Sequence, residues 1–175
     1  MPGEERRFVY PAPTPAVAAR AATIDRPRIL LKVCAPLADL LAVLPLGWRG
    51  HPQAFFMTLT GAVPAGPPLP AGYAIDVAEV GGVFASTVTA STTVVARGRA
   101  ARSGDLLVFD QIATDPAHTR RGLGSAVMRT LSAAGEGPRG QQALTATAAG
   151  HALYTALGWR TASLYSTAER IERTT

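Results

Sequence analysis

DLLVFDQIATDPAHTRRGLGSAVMRTL, the segment Asp105–Leu131, decides the fold. Its apolar run Leu106–Phe109 predicts a strand, and the turn-forming residues Thr114–Pro116 mark the end of that strand. Apolar residues then recur at three- and four-residue steps, which predicts one face of a helix. These residues are Leu123, Val127, Leu131 and Ala134. The segment therefore predicts a strand, a basic glycine-rich turn and a helix.

The turn Arg120–Gly124 has the chemistry of a phosphate cradle. Its glycines, Gly122 and Gly124, allow a ligand to approach the main chain closely. The first N–H groups of the following helix lack internal partners, and the helix dipole favours an anion there. A dinucleotide fingerprint is excluded because Val127 stands where it needs Gly or Ala, and no Gly-Lys-Ser/Thr follows as in a nucleotide P-loop.

Length and composition indicate a globular protein. The chain has 175 residues, of which 47% are hydrophobic and 17% charged, enough to fill the core of one domain with an appendage. No apolar run approaches the ~18 residues of a membrane span, and the first residues do not resemble a signal peptide. The single cysteine, Cys34, excludes an internal disulfide framework. We expect a cytoplasmic protein without a metal site or a membrane partner.

The net charge is +5, and almost all of the positive charges are arginines. Arg97, Arg99 and Arg102 lie close together in sequence, but no aromatic residues interleave with them and no nucleic-acid-binding motif is present. We therefore interpret them as a solvated turn and expect no nucleic-acid partner. An anionic small ligand would account for part of the charge.

A linker divides the chain. The segment Gly61–Gly72 is rich in proline and glycine and resists regular structure. We place the domain boundary there, between an N-terminal α/β extension over residues 1–66 and a second domain over 67–175. The extension is predicted to contain strands near 7–10, 27–33 and 54–60, and helices near 15–22 and 36–44.

The second domain is predicted to be rich in strands. Strands are expected over Tyr73–Val80, Val83–Ala90 and Thr92–Gly98, with Gly81-Gly82 as a hairpin turn. After the organising segment we expect a loop over 135–140, a strand over 142–146, a helix over 148–157 with Gly158 at its end, and a strand over 159–167 before a fraying polar tail. The sequence LGWR occurs at 46–49 and at 157–160. It is either a vestigial repeat or, as we favour, chance in a chain rich in Ala and Leu.

In this order of elements the chain, from about residue 69 to 167, resembles the GCN5-related N-acetyltransferases. The segment Thr119–Gly124, TRRGLG, is similar to that family's Q/R-x-x-G-x-G/A motif. The segment Ala152–Trp159, ALYTALGW, is similar to its A-x-x-L-Y-x-x-L-G-F motif. The resemblance implies an α/β (α+β) fold with a mixed, mostly antiparallel twisted sheet flanked by helices. It also implies acetyl-CoA as cosubstrate, an amine acceptor and no metal.

The resemblance implies roles for individual residues. Main chain at Ile112, Ala113 and Thr114 would hydrogen-bond the pantetheine arm like an added strand. Tyr154 would protonate the leaving thiolate, and a neutral amine would attack the thioester directly. Asp110 is the candidate base. The residues implied to bind the pyrophosphate and its surroundings are Thr119, Arg120, Arg121, Gly122, Leu123, Gly124, Ser125 and Thr147.

The chain also departs from the family pattern. Thr119 replaces the usual Gln or Arg, and Thr147 stands where many relatives have Asn. Tyr73–Val80 runs almost directly into the next strand, where the family has two helices that help to build the acceptor pocket. A non-catalytic acyl-CoA-binding or regulatory domain and a plain interaction module therefore stay open as alternatives. For Tyr154 we favour the acid role over packing in the core, and for Asp110 we favour a sheet or surface carboxylate over a base. We further expect that the N-terminal strand could pair two copies in a homodimer.

Overall fold

The computed structural model describes residues 4–135 and 140–171. These residues divide into two compact units: 4–56, 146–148 and 161–171 form the first, and 57–135, 140–145 and 149–160 form the second. The domain boundary that we predicted after residue 66 stays a prediction. The two compact units are defined by spatial contacts, and each of them contains more than one segment of the chain.

The first unit is built on a small mixed sheet. The strand β1 (Arg6–Tyr10) runs parallel to β2 (Ile29–Val33), and β2 pairs antiparallel with the last strand of the chain, β10 (Arg160–Arg170). A short strand, β3 (Trp48–Gly50), also pairs with β10. The helices α1 (Pro15–Ala22) and α2 (Leu37–Val43) complete the unit.

This unit has its own hydrophobic core. Burial of apolar side chains is the main favourable contribution to folding, so a separate cluster of this size explains why the unit is compact. Its fully buried members come from both helices and from β2 and β10. They are Val17, Ala21, Leu31, Val33, Leu40 and Ala168.

The second unit is an antiparallel meander that ends in a parallel pair. The strands β5 (Tyr73–Val80), β6 (Val83–Ala90), β7 (Thr93–Ser103) and β8 (Leu106–Thr114) pair in sequence order, each antiparallel to the next. Gly81 and Gly82 both have positive φ, as a two-residue hairpin turn requires. β8 then pairs in parallel with β9 (Gln141–Ala146).

One helix covers a face of this sheet and a second follows β9. The helix α3 (Leu123–Gly135) packs on β5 to β8, and α4 (Ala148–Ala156) follows β9. The strand β4 (Ala54–Thr60) begins in the first unit and ends in the second. The predicted mixed, mostly antiparallel α/β fold is confirmed, and the predicted helices are present. The apolar stripe of α3 is buried, including Leu123, Val127 and Leu131.

Several boundaries differ from the prediction. β7 continues five residues past Gly98 to Ser103, so the arginines at 97, 99 and 102 lie on a strand and not in a solvated turn. β10 continues to Arg170, because its last residues pair with β2 and β3. β3 was not predicted. Most of the predicted loop over 135–140, and the last four residues of the chain, lie outside the described residues.

The predicted linker is irregular, as expected, but it is packed against the second unit. Val63 is buried, and its N–H donates to the Ser132 hydroxyl at 3.2 Å. The buried Gln142 amide donates to the same hydroxyl at 2.9 Å and to the carbonyl of Gly61. These contacts hold the start of the linker on α3, so this segment is not a free tether.

Candidate functional site

The glycine-rich turn begins with a capped turn of 3-10 helix. This turn spans Pro116–His118, and the Asp115 carboxylate accepts the Ala117 N–H at 2.8 Å. The Thr119 hydroxyl donates to the Pro116 carbonyl at 3.1 Å. Thr119, at the first position of the motif, therefore uses its side chain to close the turn.

The main chain of the following residues contains two left-handed positions before helix α3. Arg120 and Gly122 have left-handed backbone, with φ of +63° and +78°. Left-handed residues next to right-handed ones turn successive N–H groups toward a common centre, which suits an anion. The Ala126 N–H donates to the Gly122 carbonyl, so the N–H groups of Leu123, Gly124 and Ser125 precede the first such bond of α3. This backbone geometry suits the predicted cradle, which stays a prediction.

A side-chain cluster fixes one of the two arginines of the turn. The Arg121 guanidinium donates to the Tyr73 hydroxyl at 3.0 Å, and that hydroxyl lies 2.9 Å from Nδ1 of His118. The Tyr73 and His118 rings meet edge to face at 5.8 Å. The first residue of β5 therefore holds Arg121 beside the cradle, a contact that sequence reasoning missed because the two residues lie 48 positions apart.

β8 and β9 separate just before the cradle. The paired residues end at Phe109 and Leu144, and within the described residues β8 then runs from Asp110 to Thr114 without a partner on β9. An unpaired strand edge can accept an extended ligand through main-chain hydrogen bonds. The predicted track at Ile112, Ala113 and Thr114 lies on this edge.

Gly124 lies where three elements converge. A Cβ atom on this residue would stand 3.3 Å from Cδ2 of Leu153 on α4 and 3.6 Å from Oγ1 of Thr114 on β8. The first turn of α3, the end of β8 and α4 therefore meet here. Only a residue without a side chain keeps the main chain accessible at this point.

A β-bulge interrupts β8 at the far end of the track. Arg99 pairs with Asp110 and Arg97 pairs with Ala113, so Gln111 and Ile112 together face the single residue Gly98. Gln111 has left-handed backbone, with φ of +57°. Bulges of this kind leave ladder groups unpaired and redirect a strand next to a site.

The candidate base lies on this bulge and is already engaged. The Asp110 side chain is exposed, and its carboxylate accepts the N–H of Gln111 at 2.9 Å. The cross-strand neighbour of Asp110 is Arg99. Asp110 as a catalytic base stays a prediction.

The second motif forms the end of α4. The N–H of Trp159 donates to the Tyr154 carbonyl and that of Gly158 donates to the Thr155 carbonyl, both at 3.0 Å. Gly158 has φ of +86°, so this is a Schellman motif with glycine at its left-handed position. The prediction that Gly158 ends the helix is confirmed.

The same motif fixes the tyrosine. Tyr154 and Trp159 are the two positions whose side chains meet in a Schellman motif, and their ring centroids lie 6.3 Å apart. Trp159 also packs edge to face on Phe109 at 5.4 Å, at the point where β8 and β9 separate. Tyr154 is 8% exposed, and burial raises the pKa of its phenol. The phenol therefore keeps its proton at neutral pH.

The remaining predicted residue, Thr147, stands between β9 and α4, at the N-cap position that its sequence context predicts. Among the described residues, no group of His, Cys, Asp and Glu side chains could hold a metal ion. Within the same residues, no helix is long and apolar enough to cross a membrane.

No protein-family model and no curated protein matches the sequence. Solved structures do match. A GCN5-related N-acetyltransferase from Kribbella flavida is 17% identical with a TM-score of 0.67, over 94% of this chain and 80% of that one. An acetyltransferase of this family from Novosphingobium aromaticivorans is 18% identical with a TM-score of 0.62, over 90% and 80%.

A third similar structure is a tandem protein of the same family from the clavulanic acid biosynthesis pathway. It is 12% identical with a TM-score of 0.58, over 89% of this chain and 68% of that one. The strand order, the motif positions and these similarities agree. The chain has the fold of the GCN5-related N-acetyltransferases.

Proposed function

We propose that this chain is an acetyl-CoA-dependent N-acetyltransferase that transfers the acetyl group to an amine by direct attack in a ternary complex. The observation that carries the proposal is the convergence at Gly124 of the start of helix α3 with the edge of β8 that does not pair with β9. One end of this arrangement suits a pyrophosphate and the other suits an extended, amide-containing arm.

The geometry around Gly124 fits acetyl-CoA as the cosubstrate. The first turn of α3 is open at Gly124, and a longer side chain there would fill the space between Leu153 and Thr114. N–H groups from Arg120 to Ser125 would hold the pyrophosphate, and the main chain of Ile112 to Thr114 would hold the pantetheine arm. Bound acetyl-CoA would supply an activated thioester.

The protein would supply orientation and a proton. The bulge at Gln111 frees main-chain groups at the end of the track farthest from the cradle, where donors would stabilise developing negative charge on the carbonyl oxygen. Tyr154 would give its proton to the leaving sulfur, a role that suits a phenol kept neutral by burial. An acceptor amine must attack in its neutral form, with Asp110 as the candidate group to take up its proton.

Thermal unfolding with and without CoA tests the binding step. We expect CoA to raise the Tm of the wild type in proportion to the logarithm of its concentration. Gly124→Asp should abolish this shift, because the side chain fills the cradle and adds a negative charge beside the pyrophosphate. Gly124→Ala, a milder change at the same site, should reduce it. An unchanged shift in both variants would show that CoA does not bind here.

Turnover tests the catalytic role of the tyrosine. With an amine that is acetylated, Tyr154→Phe should lower kcat by about 10- to 100-fold and leave KM for acetyl-CoA nearly unchanged. Tyr165→Phe is a matched control, because Tyr165 is equally buried but belongs to the other unit. Equal kcat in the wild type and Tyr154→Phe would assign Tyr154 to packing alone.

A non-catalytic acyl-CoA-binding domain is the second candidate. Two observations favour it: β5 turns directly into β6 at Gly81 and Gly82, where the resembling family has two helices, and the Asp110 carboxylate already binds the Gln111 N–H. This candidate predicts CoA-dependent stabilisation without acetyl transfer to any amine of a broad panel.

A further inference from the structure

Two arginines without partners among the described residues lie on strand β7, opposite the bulge in β8. Arg97 and Arg99 alternate with Gly98 along β7, so their side chains project from the same face of the sheet, about 7 Å apart along the strand. Both side chains are exposed. In the described part of the chain, neither guanidinium has a hydrogen-bond or ion-pair partner.

Several other arginines of the described chain are engaged. Arg49 pairs with Glu169 and Arg7 pairs with Glu4. Arg121 bonds to Tyr73, Arg129 donates to the Pro67 carbonyl, and Arg102 lies over the Phe84 ring. Two like charges side by side on one strand face repel each other, so their placement at positions 97 and 99 favours an anion between or beside them.

These two arginines line one cavity together with the bulge. The cavity has a volume of about 290 Å³, and its walls include Arg97, Arg99, Gln111 and Thr87. All four offer hydrogen-bond donors, and none is acidic. A volume near the lower end of small-molecule sites, which is ~300 Å³, suits a small metabolite.

The cavity lies at the acyl end of the proposed cosubstrate track. The cradle follows Thr114, so moving back along β8 from the cradle leads to Gln111, which borders the cavity. Arg97 also borders the neighbouring cavity of about 230 Å³, whose walls include Ala113 and Thr114 of the track. A molecule in the arginine-lined cavity would therefore reach the thioester.

We propose that the amine acceptor carries an anionic group, a carboxylate or a phosphate, which the guanidinium groups of Arg97 and Arg99 bind while its amine lies at the bulge. A guanidinium presents two parallel N–H donors that match the oxygens of either anion. The same positive charge repels polyamines and lysine-rich peptides. This proposal rests on the proposed acetyltransferase function and specifies its acceptor.

The first test compares amines in matched pairs. Glycine is compared with glycinamide and aspartate with its diamide for a carboxylate, O-phosphoethanolamine with ethanolamine for a phosphate, and spermidine is included as a cation. We expect the anionic member of at least one pair to have a kcat/KM about 10-fold or more above its neutral partner, and spermidine to be the poorest acceptor. The pair with the larger ratio identifies carboxylate or phosphate. Equal or better use of neutral amines or spermidine would overturn the proposal.

The second test removes the arginines. Arg97→Gln with Arg99→Gln should raise KM for the anionic amine about 10-fold or more, while KM for acetyl-CoA stays unchanged. Arg160→Gln is the control, because Arg160 is exposed in the same unit and borders neither cavity. A rise in KM for acetyl-CoA instead would assign the arginines to the cosubstrate and overturn the proposal.

Binding measurements separate this proposal from the proposed function. If no amine is acetylated, calorimetry with CoA-saturated protein should still show binding of an anionic amine that the double variant loses. Absence of that binding would overturn the acceptor assignment while CoA binding stands. Absence of CoA binding would overturn the proposed function and the acceptor assignment with it.

Discussion

Gly98 of β7 packs against Ile112 of β8 so closely that a Cβ atom on residue 98 would stand 2.4 Å from the Ile112 Cδ1 atom. The same Cβ would stand 2.7 Å from Cγ1 of Val127 on α3. The bulge that carries Gln111 and Ile112 therefore depends on the absence of a side chain at position 98. We regard this contact as the structural reason that the bulge is compatible with α3.

The first prediction concerns this glycine. Gly98→Ala should lower the free energy of unfolding by about 1–3 kcal/mol, because the valine methyl of the helix cannot rotate away without strain. Ile112→Val removes the nearest atom, so the double variant should recover part of the loss, giving a coupling energy above ~0.5 kcal/mol. Urea unfolding of the wild type, the two single variants and the double variant measures this coupling energy. Additive losses would contradict a direct contact between positions 98 and 112.

Much of this fold could be predicted because its signals are local. The β-branched strands and the glycine pair at 81–82 specify their own backbone, and the glycine-rich turn specifies the start of α3. Both LGWR segments place glycine in left-handed backbone between a helix and a strand, at φ of +89° for Gly47 and +86° for Gly158. The sequence echo therefore has a local structural counterpart.

The features that were missed depend on distant partners. The bulge arises from a register shift between β7 and β8, which local alternation of apolar residues does not encode. The Tyr73–Arg121 contact joins the start of β5 to the cradle. The end of β10 pairs with β2 and β3, so Glu169 and Arg170, the first residues of the tail that we expected to fray, are ordered by strands far away in sequence.

The second prediction concerns the packed linker. Ser132 is 1% exposed, and its hydroxyl accepts from both Val63 and Gln142. Ser132→Ala should therefore lower the free energy of unfolding by about 1–3 kcal/mol, since the Val63 N–H and one N–H of the Gln142 amide lose their acceptor. The exposed Ser103→Ala is the control, with an expected change within ~0.5 kcal/mol. Chemical unfolding compares them. A difference of zero between the two variants would show that the linker is not held by this hydroxyl.

The third prediction concerns stability in acid. Burial would raise the pKa of Glu169, but hydrogen bonds from the Arg28 N–H and the Arg49 guanidinium, with the charge of Arg49 and His51, lower it below its usual value. A carboxyl with a lowered pKa stabilises the fold above the unfolded-state pKa and loses that contribution as pH falls through the folded-state pKa.

Glu169→Gln should therefore be less stable than the wild type above the unfolded-state pKa of ~4.3, and the difference should shrink as pH falls through the lowered folded-state pKa. Urea unfolding at a series of pH values measures this. Glu79→Gln, an exposed substitution on strand β5, is the control. A difference between wild type and Glu169→Gln that is independent of pH would rule out the charge of Glu169 as the cause.

The fourth prediction concerns stability in base. Burial first, and then the neighbouring Cys34 thiolate, raise the pKa of Tyr165 to about 12. Between about pH 10 and pH 12 the unfolded chain therefore loses this proton while the folded chain keeps it, so stability falls as pH rises through that window. Tyr165→Phe should reduce this loss in the free energy of unfolding by roughly 2 kcal/mol. Tyr10→Phe, a partly buried tyrosine of the same unit, serves as control. Parallel curves of the free energy of unfolding against pH for the wild type and Tyr165→Phe would contradict this prediction.

The last prediction concerns Tyr73 and Arg121. The Tyr73 hydroxyl holds the guanidinium beside the cradle, and in the absence of that hydroxyl the arginine must lose side-chain freedom when it binds a phosphate. Tyr73→Phe should therefore raise the Kd of CoA about 3- to 10-fold, as the loss of one hydrogen bond does. Because Tyr73 is only half-buried, its Tm without CoA should change little.

Two further variants separate positioning from charge. Arg121→Gln removes the charge and should weaken CoA binding more than Tyr73→Phe. In Arg121→Gln the additional change Tyr73→Phe should have almost no effect, since the hydroxyl then has no guanidinium to hold. Calorimetry with CoA on the four proteins measures the cycle. If the effects of the two changes add fully, Tyr73 does not act through Arg121, and its contact with His118 becomes the one to examine.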